Sequence, residues 1–172
     1  MLGQRLPPEP RVTDDPALCV VAAGRTIQPI NRDRNRYVFV LPRGVRNARL
    51  VSRSAVPSEV RPWIEDRRRL GVMVSRLTLR VRESVETIPL DHPLLRAGWW
   101  GLEHEGDKVW RWTDGSAVLP VRGDEPAILE VDLAATLAYP ADVCGAQISS
   151  QATARKHPAL GAPARRSNGR AW

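Results

Sequence analysis

The chain has 172 residues, 42% apolar and 26% charged, which suits one globular domain and excludes both a disordered chain and a run of membrane spans. Its 15 prolines and 12 glycines argue against long helices and for short strands joined by turns. The formal charge of +7 would suggest nucleic acid, but five basic residues and no acid lie from Gly145 onward, leaving about +3 on the body once the slightly acidic start is set aside. Those residues are Arg155, Lys156, Arg165, Arg166 and Arg170. The charge belongs mostly to the tail, so nucleic acid is a disfavoured partner.

Residues 1–16 are Pro-rich and polar and are expected to form a flexible leader. Met1 to Pro10 holds no apolar core of a secretory signal, and no apolar run approaches the length of about 20 residues that crosses a bilayer. A short strand is expected over Leu18 to Ala23, then a turn at Gly24–Arg25 into Thr26 to Ile30. The polar run Asn31 to Asn35 is expected to be a loop. Arg36 to Leu41, rich in aromatic and β-branched residues, is a strong strand, and Ala48 to Ser52 is expected to return it as a hairpin.

The connection Ser54 to Arg69 is the least regular piece, with room for a turn of helix near Glu59 or Trp63. Leu70 to Arg80 is the longest strand candidate. Its apolar positions Val72 and Val74 change phase before Leu77 and Leu79, which requires a β-bulge near Ser75. Glu86 to Leu90 is expected to pair with it.

Four of the six tryptophans follow within about fifteen residues, in Gly98–Trp99–Trp100–Gly101 and Trp110–Arg111–Trp112. Strand alternation sends Trp99 and Trp100 to opposite sides, one into the core and one outward, and puts Trp110 and Trp112 on one face, expected to pack on the opposite sheet. Asp114–Gly115 reads as a tight turn into Ala117 to Val121. Pro126 to Leu133 alternates cleanly, with Ile128 out of step with Leu129, Val131 and Leu133. The expected fold is all-β: a two-layer antiparallel β-sandwich, jelly-roll-like, over residues 17–144, followed by a disordered basic tail over 145–172.

Chemistry is thinly signalled. No phosphate-binding loop, nucleophile elbow or metalloprotease motif occurs. His92 and His104 could meet Asp91 or Glu103 at a metal, but a polar turn before Pro93 and a solvated hairpin tip at Glu105–Asp107 are the favoured reading. Cys19 and Cys144 read as two buried thiols or as one disulfide. Arg49, Arg53, Arg61, Arg67, Arg68 and Arg69 either bind an anionic group or pair with Glu59, Glu65 and Asp66. No metal and no cofactor is expected.

The segments SRSAVPSEVRPW (Ser52–Trp63), DRRRLGV (Asp66–Val72), LDHPLL (Leu90–Leu95), GWWGLE (Gly98–Glu103) and WRWTDGSAVLPV (Trp110–Val121) carry a resemblance. They resemble a bacterial accessory domain found beside Hedgehog/intein-type (Hint) domains and in some glycosyltransferases of acetic-acid bacteria and their relatives. The resemblance spans roughly Cys19 to Tyr139 and implies a β-sandwich. It does not bring Hint autoprocessing with it, because Cys19 sits inside an expected strand and no His-bearing block follows. The resulting expectation is a non-catalytic module that recognises glycans or glycan-processing partners. The alternative is a structural or protein-interaction module without ligand binding. The candidate contacts are Trp63, Trp99, Trp100, Arg67, Arg68 and Asp114.

Overall fold

The computed structural model describes residues 11–60, 63–121 and 123–141. Among these, short antiparallel strands build nearly everything. In chain order they are β1 (Val12–Thr13), β2 (Cys19–Ala22), β3 (Arg25–Ile27), β4 (Asn31–Asp33), β5 (Arg36–Leu41) and β6 (Arg49–Val51). The single-turn helix α1 (Pro57–Val60) follows, then β7 (Met73–Val81), β8 (Ser84–Ile88), β9 (Trp99–Glu105) and β10 (Lys108–Thr113). β11 (Ser116–Val118), β12 (Ala127–Ala135) and β13 (Tyr139–Pro140) complete the described strands.

Two layers result. The larger sheet runs β4-β5-β12-β7-β10-β9, with β8 paired to the far end of β7 beside β10; the smaller runs β11-β6-β2-β3. The chain passes between layers from β3 to β4, β5 to β6, β6 to β7, β10 to β11 and β11 to β12, a jelly-roll-like habit. Tyr37, Phe39 and Leu41 of β5, Leu129, Val131 and Leu133 of β12, and Val74 and Leu77 of β7 face Val20, Ala22 and Leu50 of the smaller sheet in one core. Burying each of the larger side chains is worth about 1.5–3 kcal/mol. Ile128 sits on the outer face of β12 at 38% exposure, as its phase requires.

The bulge in β7 is present. Asp132 of β12 pairs with Arg76 and Leu133 pairs with Val74, so Ser75 is the extra residue and both Val74 and Leu77 turn inward. β8 pairs with β7 from Leu77–Ile88 to Val81–Ser84, as expected.

Three expectations change. The polar run after Ile30 contains β4, whose Arg32 and Asp33 pair with Tyr37 and Arg36; an edge strand with one solvated neighbour tolerates fully polar residues. β5 and β6 form no hairpin: β5 pairs with β4 and β12, β6 with β2 and β11. Pro42 and Gly44 therefore turn the chain between layers, not within one. Asp114–Gly115 is likewise a corner between β10 and β11, which lie in different sheets.

Part of the expected leader belongs to the fold. β1 pairs with β13, the Ala141 N–H donates to the Arg11 carbonyl at 2.8 Å, and the Arg53 N–H donates to the Pro16 carbonyl at 2.7 Å. Arg53 Nη1 donates to the Pro140 and Ala141 carbonyls at 3.1 and 2.6 Å, so the backbone of this one residue holds the segment before β2 and its side chain holds β13. Cys19 is buried in β2, while Cys144 and the basic tail lie outside the described residues.

Two consequences can be measured. Gly98 has φ +83°, and a Cβ there would sit 2.2 Å from the Ser116 carbonyl oxygen and 2.6 Å from Ala117 Cα. Gly98→Ala should lower unfolding free energy by at least about 2 kcal/mol in denaturant titrations. Tyr139 is fully buried and its hydroxyl donates to the Gly71 carbonyl at 2.7 Å. Burial pushes its phenol from 10.0 up to about 12. The folded protein thus holds a proton that the unfolded chain loses first. Stability from this group is intact below pH 10 and falls as pH rises toward 12. Tyr139→Phe should flatten that part of the pH–stability curve; an unchanged alkaline slope would refute the assignment.

Candidate functional site

The tryptophan hairpin β9–β10 contains a register break that decides where each indole goes. Leu102 pairs with Arg111 and Trp99 pairs with Thr113, so Trp100 and Gly101 together oppose Trp112 alone. The bulge turns Trp99 onto the face of Thr113 and Arg111, which is the core face, because Arg111 pairs with Val74. Trp112 pairs with Met73 and points, with Trp110, to the outer face of the larger sheet. The expected packing of Trp110 and Trp112 on the opposite sheet is therefore corrected by the register. Trp112 is nonetheless buried on that outer face, and Trp110 is half-buried.

Trp99 is 8% exposed, and its Nε1–H donates to the Val118 carbonyl at 2.7 Å, from the larger sheet to β11 of the smaller. Arg111 lies against its ring, Cζ 6.0 Å from the centroid, and donates to the Leu90 carbonyl at 2.9 Å and to the Trp100 carbonyl. Burial lowers the Arg111 pKa from its ordinary value. Trp99 is thus a pin between layers rather than a stacking surface.

Of the candidate contacts, Trp100 and Arg68 are the two that the structure brings together. The guanidinium stands 5.7 Å from the Trp100 ring centroid, and the indole N–H donates to the Arg69 carbonyl at 2.9 Å. Arg68 also binds Asp66 with Nη2–Oδ2 2.8 Å and Nε–Oδ1 3.1 Å, and Glu103 with Nη1–Oε1 2.9 Å. Glu103 accepts the Trp110 N–H on its other oxygen at 3.1 Å. The hydrogen bonds that Arg68 donates to Asp66, then to Glu103, raise the Arg68 pKa, and the same Arg68 bond chiefly lowers that of Asp66. In this chain of charges the single guanidinium is shared by two carboxylates, and its donors are committed to them. It clamps residues 66–69 onto the hairpin and orients Trp110 (the next ring along) but leaves little for a ligand.

The other candidates fall elsewhere. Trp63 is 79% exposed and Arg67 is exposed, and among the described residues neither side chain makes a hydrogen bond, ion pair or ring contact. Asp114 accepts the Ser116 N–H on Oδ1 at 2.8 Å and donates its own N–H to the Gly98 carbonyl at 2.9 Å, so it shapes the corner. Of the arginines weighed with Arg68, Arg49 donates to Ser116 and Arg53 to backbone carbonyls; Arg61 lies outside the described residues. His92 accepts the Leu94 N–H at Nδ1, and His104 is exposed on β9. Among the described residues no three His, Cys, Asp or Glu side chains converge as a metal site, and no helix is long and apolar enough to cross a membrane.

What the geometry offers instead is an open cleft of about 570 Å³ beside Trp110, lined also by Met73, Arg76, Glu105, Asp107 and Lys108. Arg76, Glu105, Asp107 and Lys108 make no side-chain hydrogen bond or ion pair among the described residues. Alternation along β10 could have shown Lys108 beside Trp110; Met73 and Arg76 join only through the β7–β10 register and the Ser75 bulge. No protein-family model, curated protein or solved structure matches this chain.

The Asp66–Arg68 contact gives a pH test. Its contribution is present above the ordinary carboxylate range and is lost as pH falls through the lowered Asp66 value. Acidification should shift the Trp100 indole resonance as residues 66–69 release. Asp66→Asn should show the released signal already at neutral pH, and an acid step that survives in Asp66→Asn would remove this account.

Proposed function

We propose that this protein is a non-catalytic β-sandwich module that recognises glycans through the Trp110 cleft. One observation carries the reading: a half-buried indole whose N–H is fixed by Glu103 borders a cleft where two cationic and two anionic side chains remain uncommitted. A sugar ring has an apolar face suited to an indole, and its hydroxyls both donate and accept. Arg76 and Lys108 can donate to such hydroxyls, and Glu105 and Asp107 can accept from them. Equal numbers of each charge suit a neutral sugar better than an acidic one. The resemblance of the Ser52–Trp63, Asp66–Val72 and tryptophan segments to accessory domains beside Hint and glycosyltransferase units favours the same module reading.

A structural or protein-interaction module is the second reading, and one feature favours it. Leu102 and Val109, on the core-side face of the β9–β10 hairpin, are 44% and 42% exposed. The larger sheet overhangs the smaller there, leaving an apolar edge that another protein could cover.

Affinity electrophoresis in gels cast with neutral polysaccharides separates the two. Trp110→Ala should cost at least about tenfold in retardation constant, given stacking and packing losses above 1.4 kcal/mol. Trp63→Ala should leave it unchanged, and Leu102→Ser should too. No retardation across a broad polysaccharide panel would end the glycan reading; loss of self- or partner-association in Leu102→Ser would favour the second.

A further inference from the structure

A second cavity, built from other elements, carries chemistry that the glycan reading does not use. It measures about 250 Å³ and lies where the approach to β2, the β3–β4 connection and β5 meet, lined by Asp15, Leu18, Gln28, Pro29, Arg32 and Tyr37. Arg32 is held on two sides. Its Nη1 donates to Asp15 Oδ1 at 2.9 Å, and its Cζ stands 5.2 Å from the Tyr37 ring centroid. Asp15 Oδ1 also accepts the Ala17 N–H at 3.1 Å, which fixes the carboxylate in its turn.

Three polar groups there are unused. Among the described residues Arg32 Nε and Nη2 donate to no protein atom, Asp15 Oδ2 accepts from none, and the Tyr37 hydroxyl, on a ring that is itself buried, makes no hydrogen bond and stays open to solvent at the cavity. A hydroxyl that opens on the cavity and is not paired within the protein can donate to or accept from a bound molecule in place of water. Because Arg32 covers the ring, Tyr37 offers its hydroxyl and not a stacking face. That disfavours a sugar at this site.

We infer that this cavity binds a small zwitterion of the α-amino-acid class. The ligand carboxylate meets the free edge of Arg32, its ammonium meets Asp15 Oδ2, and Tyr37 hydrogen-bonds the carboxylate. Leu18 and Pro29 receive a short apolar side chain. Arg32 and Asp15 are already paired, so the site is neutral overall and favours a ligand carrying both charges over one carrying either alone.

The test titrates the full chain with L-valine, N-acetyl-L-valine, L-valinamide and glucose, read by amide NMR shifts and calorimetry. L-valine should bind at the residues around Arg32 and Tyr37, and both masked derivatives should bind at least about tenfold more weakly, each having lost a charge-assisted contact. Arg32→Gln should weaken L-valine by at least about tenfold, and Tyr37→Phe, which preserves packing, by a smaller but measurable factor. A flat L-valine titration, equal binding of N-acetyl-L-valine, or shifts around Arg32 and Tyr37 with glucose alone would each overturn the inference. Glucose shifts confined to the residues around Trp110 belong to the other cleft and leave it standing.

Discussion

The hydrogen bond from the Trp99 indole to the Val118 carbonyl joins the two layers where the larger sheet would otherwise end free. It exists because Trp100 and Gly101 share one partner across the ladder, which turns Trp99 inward out of phase with Glu103. Around it Gly98 accepts the Asp114 N–H, and Ala97 accepts the Val118 N–H. Gly98 must be bare because the Ser116 backbone presses against it. The corner between β10 and β11 follows from these contacts. A hairpin at Asp114–Gly115 would have left the indole without its acceptor.

The same bulge sorts the charges. Trp100, thrown outward, meets Arg68, and Arg68 draws Asp66 and Glu103 into a closed set of pairs. Exposed or half-exposed pairs of this kind add modest stability in solution, and their effect here is positional. They hold residues 66–69 over the hairpin and set the Trp110 ring at the border of its cleft. The residues that looked most ligand-like by composition are thus occupied with one another. The free polar groups stand farther along the same hairpin and on β7, around Trp110.

Both proposed sites share a logic in which an aromatic residue is fixed by one neighbour and leaves another group unspent. Trp110 commits its N–H to Glu103 and keeps part of its ring open. Tyr37 does the reverse, covering its ring with Arg32 and keeping its hydroxyl. One arrangement favours a flat apolar face with hydroxyls, the other a compact charged ligand.

What the residues alone determined was whatever depends on nearest neighbours along the chain. Alternation found β5 and β12 and set Ile128 against Leu129; the broken alternation of Val74 and Leu77 located the bulge at Ser75; Trp99 and Trp100 were rightly divided between inside and outside. Which strands lie beside one another is a long-range matter, set by packing between layers, and tertiary structure alone decided it. β4 is polar throughout yet pairs, β1 finds β13 from the other end of the chain, and Trp110 and Trp112 face outward because Trp112 sits opposite Met73. Local pattern states which face a residue shares with its neighbours. Only the partner strand states whether that face is covered.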